Sequence, residues 1–382
     1  MRCLRIRERF WTPISLYFAS ARPDVSLVTL LATAAVAAFA ITQTGGFFPP
    51  ENIAVPSALV CFLLLAARST QLELRGEDKQ LLFALAVFSA VWVGASLRDG
   101  VRLEELSLAG SALAFGASYA IVRLSNRDDA VRVVAFVGAV GSGLAIVGYF
   151  VIRERYALTI DGVARLSGSF AYPNALALFA AIGLIGALAS RSSSSLIGRY
   201  GSLLHVAVLA WTGSRGALSA AGLGIVVLGW PQVGRRTALT WCAVAAALLL
   251  VGSGNYRGLD SGRDRAAEWT SAFRAGTSSP VVGVGPDKPL LIHNFRGDAV
   301  ADFAHNEPLQ VFAGAGLLGI SALTLVVARA VVVCRRRSRL TAATFLAVGV
   351  GGLLDFTWHS VAIAAFAGMY AAIDPPSSAI NG

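Results

Sequence analysis

The chain has 382 residues, of which 55% are hydrophobic and only 14% charged, with net charge +10 and mean hydropathy +0.65. Soluble domains carry about 25% charged residues, so this composition excludes an ordinary soluble enzyme and indicates a polytopic membrane protein. The arginines sit in short gaps between apolar runs rather than in a basic domain, which excludes a nucleic-acid binder and fits the loop charge of membrane proteins.

A membrane span needs about 20 apolar residues. Apolar runs fall at 25–42, 53–67, 81–97, 106–122, 133–152, 174–190, 196–212, 216–231, 238–253, 309–332, 340–354 and 357–373. In lipid every backbone polar group must be bonded internally, so these runs are expected to be helices. The expected fold is an all-α integral membrane protein of about twelve transmembrane helices. It forms one polytopic domain over 1–382, with a long outer loop at 254–305 that contains short helices. The first run reads as a retained anchor, because the basic leader before it is too long for a cleaved signal. Cys3, Cys61, Cys242 and Cys334 are far apart, without the spacing of a zinc site or a disulfide framework. No metal and no cofactor is expected.

Arginine counting sets the orientation. With the N-terminus inside, Arg2 to Arg22, Arg68, Arg75, Lys79, Arg123 to Arg132, Arg235, Arg236 and "CRRRSR" at 334–339 all fall inside, and both termini are cytoplasmic. The outer side then carries arginines against the rule. A folded loop accounts for those in 254–305 but not for Arg215, which lies in a tight turn between two spans. Arginine at a membrane edge is costly and usually paired. Arg215 therefore reads either as a snorkelling side chain or as a clamp for an anionic group, with Gly213 and Gly216 allowing close approach.

Further along, "DRAAEWTSAFRA" reads as a short amphipathic helix with Arg265 and Trp269 on one face, followed by a turn and a glycine-rich strand or loop in "SSPVVGVG". In "DFAHNEPLQVFAGAGLLGI", Asn306 reads as a helix N-cap and Pro308 fits the first turn. His305 is a candidate general base. The helix N-terminus beside it should disfavour imidazolium and keep the ring neutral. His205 falls in mid-span as a packing or hydrogen-bonded residue. His359, near Asp355 and Trp358, is a possible wall of the same site. Pro173 and Asn174 in "SGSFAYPNALAL" read as a helix start.

Four elements in order, "SGSFAYPNALAL", "TGSRGAL", Arg265 to Trp269 with "PVVGVG", and "HNEPLQVFAGAGLLG", resemble the O-antigen ligase and Wzy-type O-antigen polymerase family of bacterial membrane glycosyltransferases. The last is the most specific: His-Asn, Leu309 four residues after the histidine, and Gly316 seven after that. "AYPN" stands where many members have "NPN", and Glu307-Pro308 is a less usual continuation of the His-Asn pair. The resemblance implies a glycan donor on undecaprenyl diphosphate at the outer face of the bacterial cytoplasmic membrane. The glycan is transferred to a hydroxyl of a glycan, lipid or protein acceptor without metal or nucleotide sugar. In that scheme His305 is the base, and Arg215 and Arg265 bind the diphosphate. Arg263 is the reserve for Arg265. Asn306, Arg165, Trp269 and His359 are further substrate-binding candidates. Ligase and polymerase differ only in acceptor and are not separated by the sequence. The rival class is a lipid-linked oligosaccharide flippase or transporter, which should show charges deep in its spans; only Arg329 and His205 come close.

Overall fold

The computed structural model describes residues 27–42, 45, 50–69, 74–98, 102–160, 163–189, 196–229, 259–286, 288, 290–294, 297–301 and 303–373. Long apolar runs become helices here because only an intrasegment hydrogen-bond ladder satisfies a backbone surrounded by lipid. In chain order these are α1 (Leu27–Thr42), α2 (Glu51–Ser69), α3 (Gly76–Ser96), α4 (Ser107–Leu124) and α5 (Arg127–Val151). A single turn, α6 (Arg153–Tyr156), leads into the hairpin β1 (Ala157–Ile160) and β2 (Val163–Leu166), paired antiparallel with Ala157 opposite Leu166. Then come α7 (Pro173–Ala189), α8 (Leu196–Thr212) and α9 (Arg215–Gly229). The segment 259–301 folds as α10 (Leu259–Ser278) and a second antiparallel hairpin, β3 (Leu290–Asn294) and β4 (Gly297–Ala301). The chain returns through α11 (Glu307–Arg336), α12 (Arg339–Leu354) and α13 (Val361–Ala372).

Among the described residues four helices, α3, α4, α5 and α11, are long and apolar enough to cross a membrane, and seven shorter helices are apolar. Eleven of the twelve expected runs are thus helical; the twelfth, 238–253, lies outside the described residues. The helix expected around "DRAAEWTSAFRA" extends over 20 residues, because packing on α11 and β3 holds more of the segment than its local pattern requires. Helix α7 is buried along nearly its whole length and, with α13 and α4, forms the middle of the bundle.

At one end of the bundle, charges tie the helices together. Asp78 of α3 accepts hydrogen bonds from Tyr119 (2.6 Å) and from Arg337 in the turn between α11 and α12. Arg123 of α4 donates to the last carbonyl of α13, on Ala372, at 3.0 Å.

The opposite end carries the polar knot, and a break in α11 brings it there. Gly316 has φ 60° and ψ −150°, a conformation essentially reserved for glycine. Helices α11 (30 residues) and α12 (16 residues) share the turn at 337–338. At about 1.5 Å per residue a straight α11 would carry its start roughly 20 Å beyond the end of α12. Yet Asn306 hydrogen-bonds the Leu353 carbonyl at 2.8 Å. The first ten residues of α11 therefore leave the axis of the rest. The break is filled by the loop after α10: Leu317 N–H bonds Pro280 O at 2.8 Å, Leu318 N–H bonds Val281 O at 3.1 Å, and Val284 N–H bonds Ala313 O at 2.8 Å. The two stretches of backbone lie so close that a Cβ on Gly316 would be 2.5 Å from Gly283 N, and one on Gly283 would be 2.4 Å from Gly314 C.

Candidate active site

Five stretches that are remote in sequence meet at this end. Asn306 caps α11: its Oδ1 accepts from Leu309 N–H at 3.0 Å while its Nδ2 reaches Leu353 O, so the cap also fastens α11 to α12. His305, one residue earlier, has φ 48°, the left-handed region that costs a non-glycine residue strain. That conformation aims the ring at α10, where Nδ1 lies 2.9 Å from Glu268 Oε2. A carboxylate only accepts, so Nδ1 carries the proton and Nε2 is left as the basic nitrogen.

The expectation that the helix terminus depresses the His305 pKa is overturned. Burial is the largest influence and does pull it down. The hydrogen bond that His305 donates to Glu268 and the negative charges of Asp355 and Glu268 outweigh it, with Arg265 opposing, and the net shift is upward.

Arg265, one turn before Glu268 on α10, donates to Leu354 O at 2.6 Å and lies 3.8 Å from Asp355 Oδ2; its side chain is 36% exposed. Asp355 is buried and well supplied with donors. Tyr172 O–H reaches both its oxygens at 3.0 and 3.1 Å, Phe356 N–H bonds Oδ1 at 2.9 Å, and Asn174 donates to Oδ2. Burial and then the Asp355 charge hold the Tyr172 phenol well above its ordinary pKa, so it stays a donor. Asn174 Oδ1 in turn accepts from Arg165 at 3.0 Å, and Arg165 Nε holds the Thr212 carbonyl at the end of α8 at 2.6 Å. Thr212 is followed by Gly213, at φ 60°, and by Arg215, which opens α9 with an exposed side chain. The helix-start residue Asn174 thus bridges two charged groups.

Of the residues singled out from sequence, His305, Asn306, Arg265 and Arg165 fall within this connected set, and Arg215 lies beside it. The side chain of Arg263 lies outside the described residues. Trp269 is half-buried, with an indole N–H shielded from solvent and no hydrogen-bond acceptor among the described residues. His359 sits one layer deeper: it is 3% exposed, packed edge-on to Phe303, with Nδ1 2.7 Å from Ser107 Oγ and Nε2 3.3 Å from Glu307 Oε2. Phe356 and Phe303 stack between the two histidines, and Tyr172 stacks on Phe356. Sequence reasoning missed Glu268 as a partner, though it shares a helix face with Arg265 at i, i+3. It also missed Tyr172, and it placed Asp355 only as a neighbour of His359. His205, expected as a packed and hydrogen-bonded residue, is buried with Nδ1 2.8 Å from Ser142 Oγ. Among the described residues no cluster of side chains has the make-up of a metal site.

Below the polar site lies an apolar cavity of about 470 Å³, lined by residues such as Trp358, Leu353, Phe88, Phe115, Val327 and Gly349.

A multi-pass helical membrane protein, with a histidine–carboxylate pair and arginines gathered at one end of the bundle, is the class these features define. Residues 200–324, which hold α8, α9, α10 and the broken start of α11, match the family model for O-antigen ligase. The match supports an O-antigen ligase family member and, in general terms, a membrane glycan ligase or polymerase of polysaccharide biosynthesis. No curated protein matches the chain.

Proposed function

We propose that this protein transfers a glycan from undecaprenyl diphosphate to an acceptor hydroxyl at the outer face of the bacterial cytoplasmic membrane, with both termini on the cytoplasmic side. His305 Nε2 takes the proton of the acceptor hydroxyl as its oxygen attacks the anomeric carbon. The bond from that carbon to the diphosphate oxygen breaks, and the lipid diphosphate departs with the electron pair. Glu268 orients the ring and supports the imidazolium that forms. Arg265 and Arg215, with Arg165 and Arg263 as further candidates, neutralise the diphosphate as charge builds on it. Asn306 and Trp269 border the substrate, and His359 backs the aromatic layer that supports His305. The segment 254–305 supplies Arg265, Glu268 and His305 and is a working part of the site. No metal enters the scheme.

The observation that carries this reading is the His305–Glu268 pair set beside Arg265 at the mouth of a helical bundle whose 200–324 region matches O-antigen ligase. The apolar cavity beneath the site suits the hydrocarbon part of a lipid-linked donor.

The test uses membranes from a strain lacking the protein, complemented with wild type, His305→Ala or Arg265→Ala at matched expression. Lipid-linked and transferred glycan are separated on a gel. Wild type is expected to consume the donor. Loss of the base should slow turnover by about 10²–10⁴-fold and loss of the arginine by about 10²–10³-fold. A product ladder identifies a polymerase, and a single transferred species a ligase. Normal donor use by His305→Ala would remove His305 from the mechanism.

A further inference from the structure

The loop after α10 fills the break in α11, and its outer surface is apolar. Val281 is 57% and Val282 36% exposed. Beside them on α11 are Leu317 (54%) and Leu318 (52%), joined to the loop through Pro280 O and Val281 O. These two leucines begin a stripe of exposed residues, Leu317, Leu318, Ser321, Thr324 and Ala328, along one face of the helix. On a helix long and apolar enough to cross a membrane, such a stripe faces lipid. The two valines continue it past the break.

The loop's backbone is suited to the same surroundings. Irregular backbone is tolerated at membrane depth only where protein satisfies its polar groups. Here Pro280 O and Val281 O accept from α11, and Gly283 N–H bonds Ser279 O at 2.8 Å. Gly283 O accepts from Arg98 at 2.9 Å, and Val284 N–H and Gly285 N–H bond Ala313 O and Gly314 O at 2.8 and 3.1 Å. Proline 280 has no N–H to satisfy. These paired backbone groups beside exposed valines are the reverse of a water-facing loop. Arg98, anchored at Gly283 with an exposed side chain, marks where the polar rim begins.

We infer that residues 280–283 form a re-entrant cap on the break in α11, with Val281 and Val282 inserted among the acyl chains of the leaflet nearest the site. The cap ties α10, which carries Arg265 and Glu268, to the lipid surface. The segment 254–305 is then not wholly a water-exposed loop.

The experiment is spin-label accessibility in proteoliposomes. Cys3, Cys61, Cys242 and Cys334 are replaced by serine in the full chain, and a nitroxide is attached at Val281→Cys or Val282→Cys. Phe136→Cys on the exposed apolar face of α5 serves as the lipid reference, and Thr277→Cys, exposed near the end of α10, as the second reference. Collision with oxygen is compared with collision with a water-soluble nickel chelate. Labels at 281 and 282 are expected to favour oxygen, as at 136. A preference for the nickel chelate would overturn the inference, because the loop would then face water. Exclusion of both reagents would overturn it too, because another protein surface would then cover the valines. Because both side chains are exposed, these substitutions leave the fold's packing in place.

Discussion

His305 is held at both ends: its backbone sits in the left-handed region, and its ring meets Glu268. The residue is therefore fixed from both sides, and its proton affinity is set by the carboxylates. A pKa raised in the folded state means that the pair's stabilising contribution is present below the unfolded value of about 6.5 and is lost as pH rises through the higher folded value. Activity has the opposite sense, since a base must be neutral. Donor turnover is expected to rise with pH along an acid limb displaced above the ordinary histidine range. Glu268→Gln should move that limb toward lower pH while lowering the plateau, a shift that a pH profile of glycan transfer checks. An unmoved limb would mean that Glu268 does not tune His305. The cap role of Asn306 was legible in the sequence because capping is local. The Glu268 pairing was not, since it spans 37 residues and depends on how α10 folds back.

At the scale of elements, the break at Gly316 decides the geometry of the site. The apolar runs announced the helices, and "PVVGVG", open between strand and loop in the sequence, is a loop. What the sequence concealed was that two glycine-rich stretches interlock. "GAGLLG" reads as one continuous span because a glycine in a helical pattern is ordinarily tolerated, and the carbonyls and N–H groups that fill the break come from the distant segment 280–285. Gly316→Ala combines a forbidden backbone conformation with a Cβ 2.5 Å from Gly283 N. It should destabilise the protein by about 1–3 kcal/mol or more and reduce activity. A thermal melt of the purified protein in detergent reads the first effect. A wild-type melting temperature would show that α11 can straighten without harm.

Over the whole molecule, polar site and apolar cavity are stacked: Leu353 and Trp358 line the cavity, while Leu353 O holds Asn306 and Trp358 N–H holds Glu307. A lipid-linked substrate needs such a sequence of surroundings. Gly349 lines the cavity and has nothing within 4 Å of a Cβ built there. Gly349→Leu should therefore fold normally yet occupy the space, raising the donor concentration needed for half-maximal transfer and leaving the acceptor requirement unchanged. Titration of purified lipid-linked donor against the variant measures this. Unaltered donor dependence would separate the cavity from the reaction.

The interrupted helix has one more consequence, for the membrane itself. A span whose length does not match the hydrocarbon around it responds by tilting. In an unbroken α11 that tilt would be carried straight to His305. Here the twenty residues after Gly316 can lean while the first ten stay fastened to α12 through Asn306–Leu353 and Glu307–Trp358. The proposed reaction centre should then be insulated from bilayer thickness. Transfer rates in proteoliposomes of different acyl length should vary little for wild type. Any variant that makes α11 continuous should become sharply thickness-dependent.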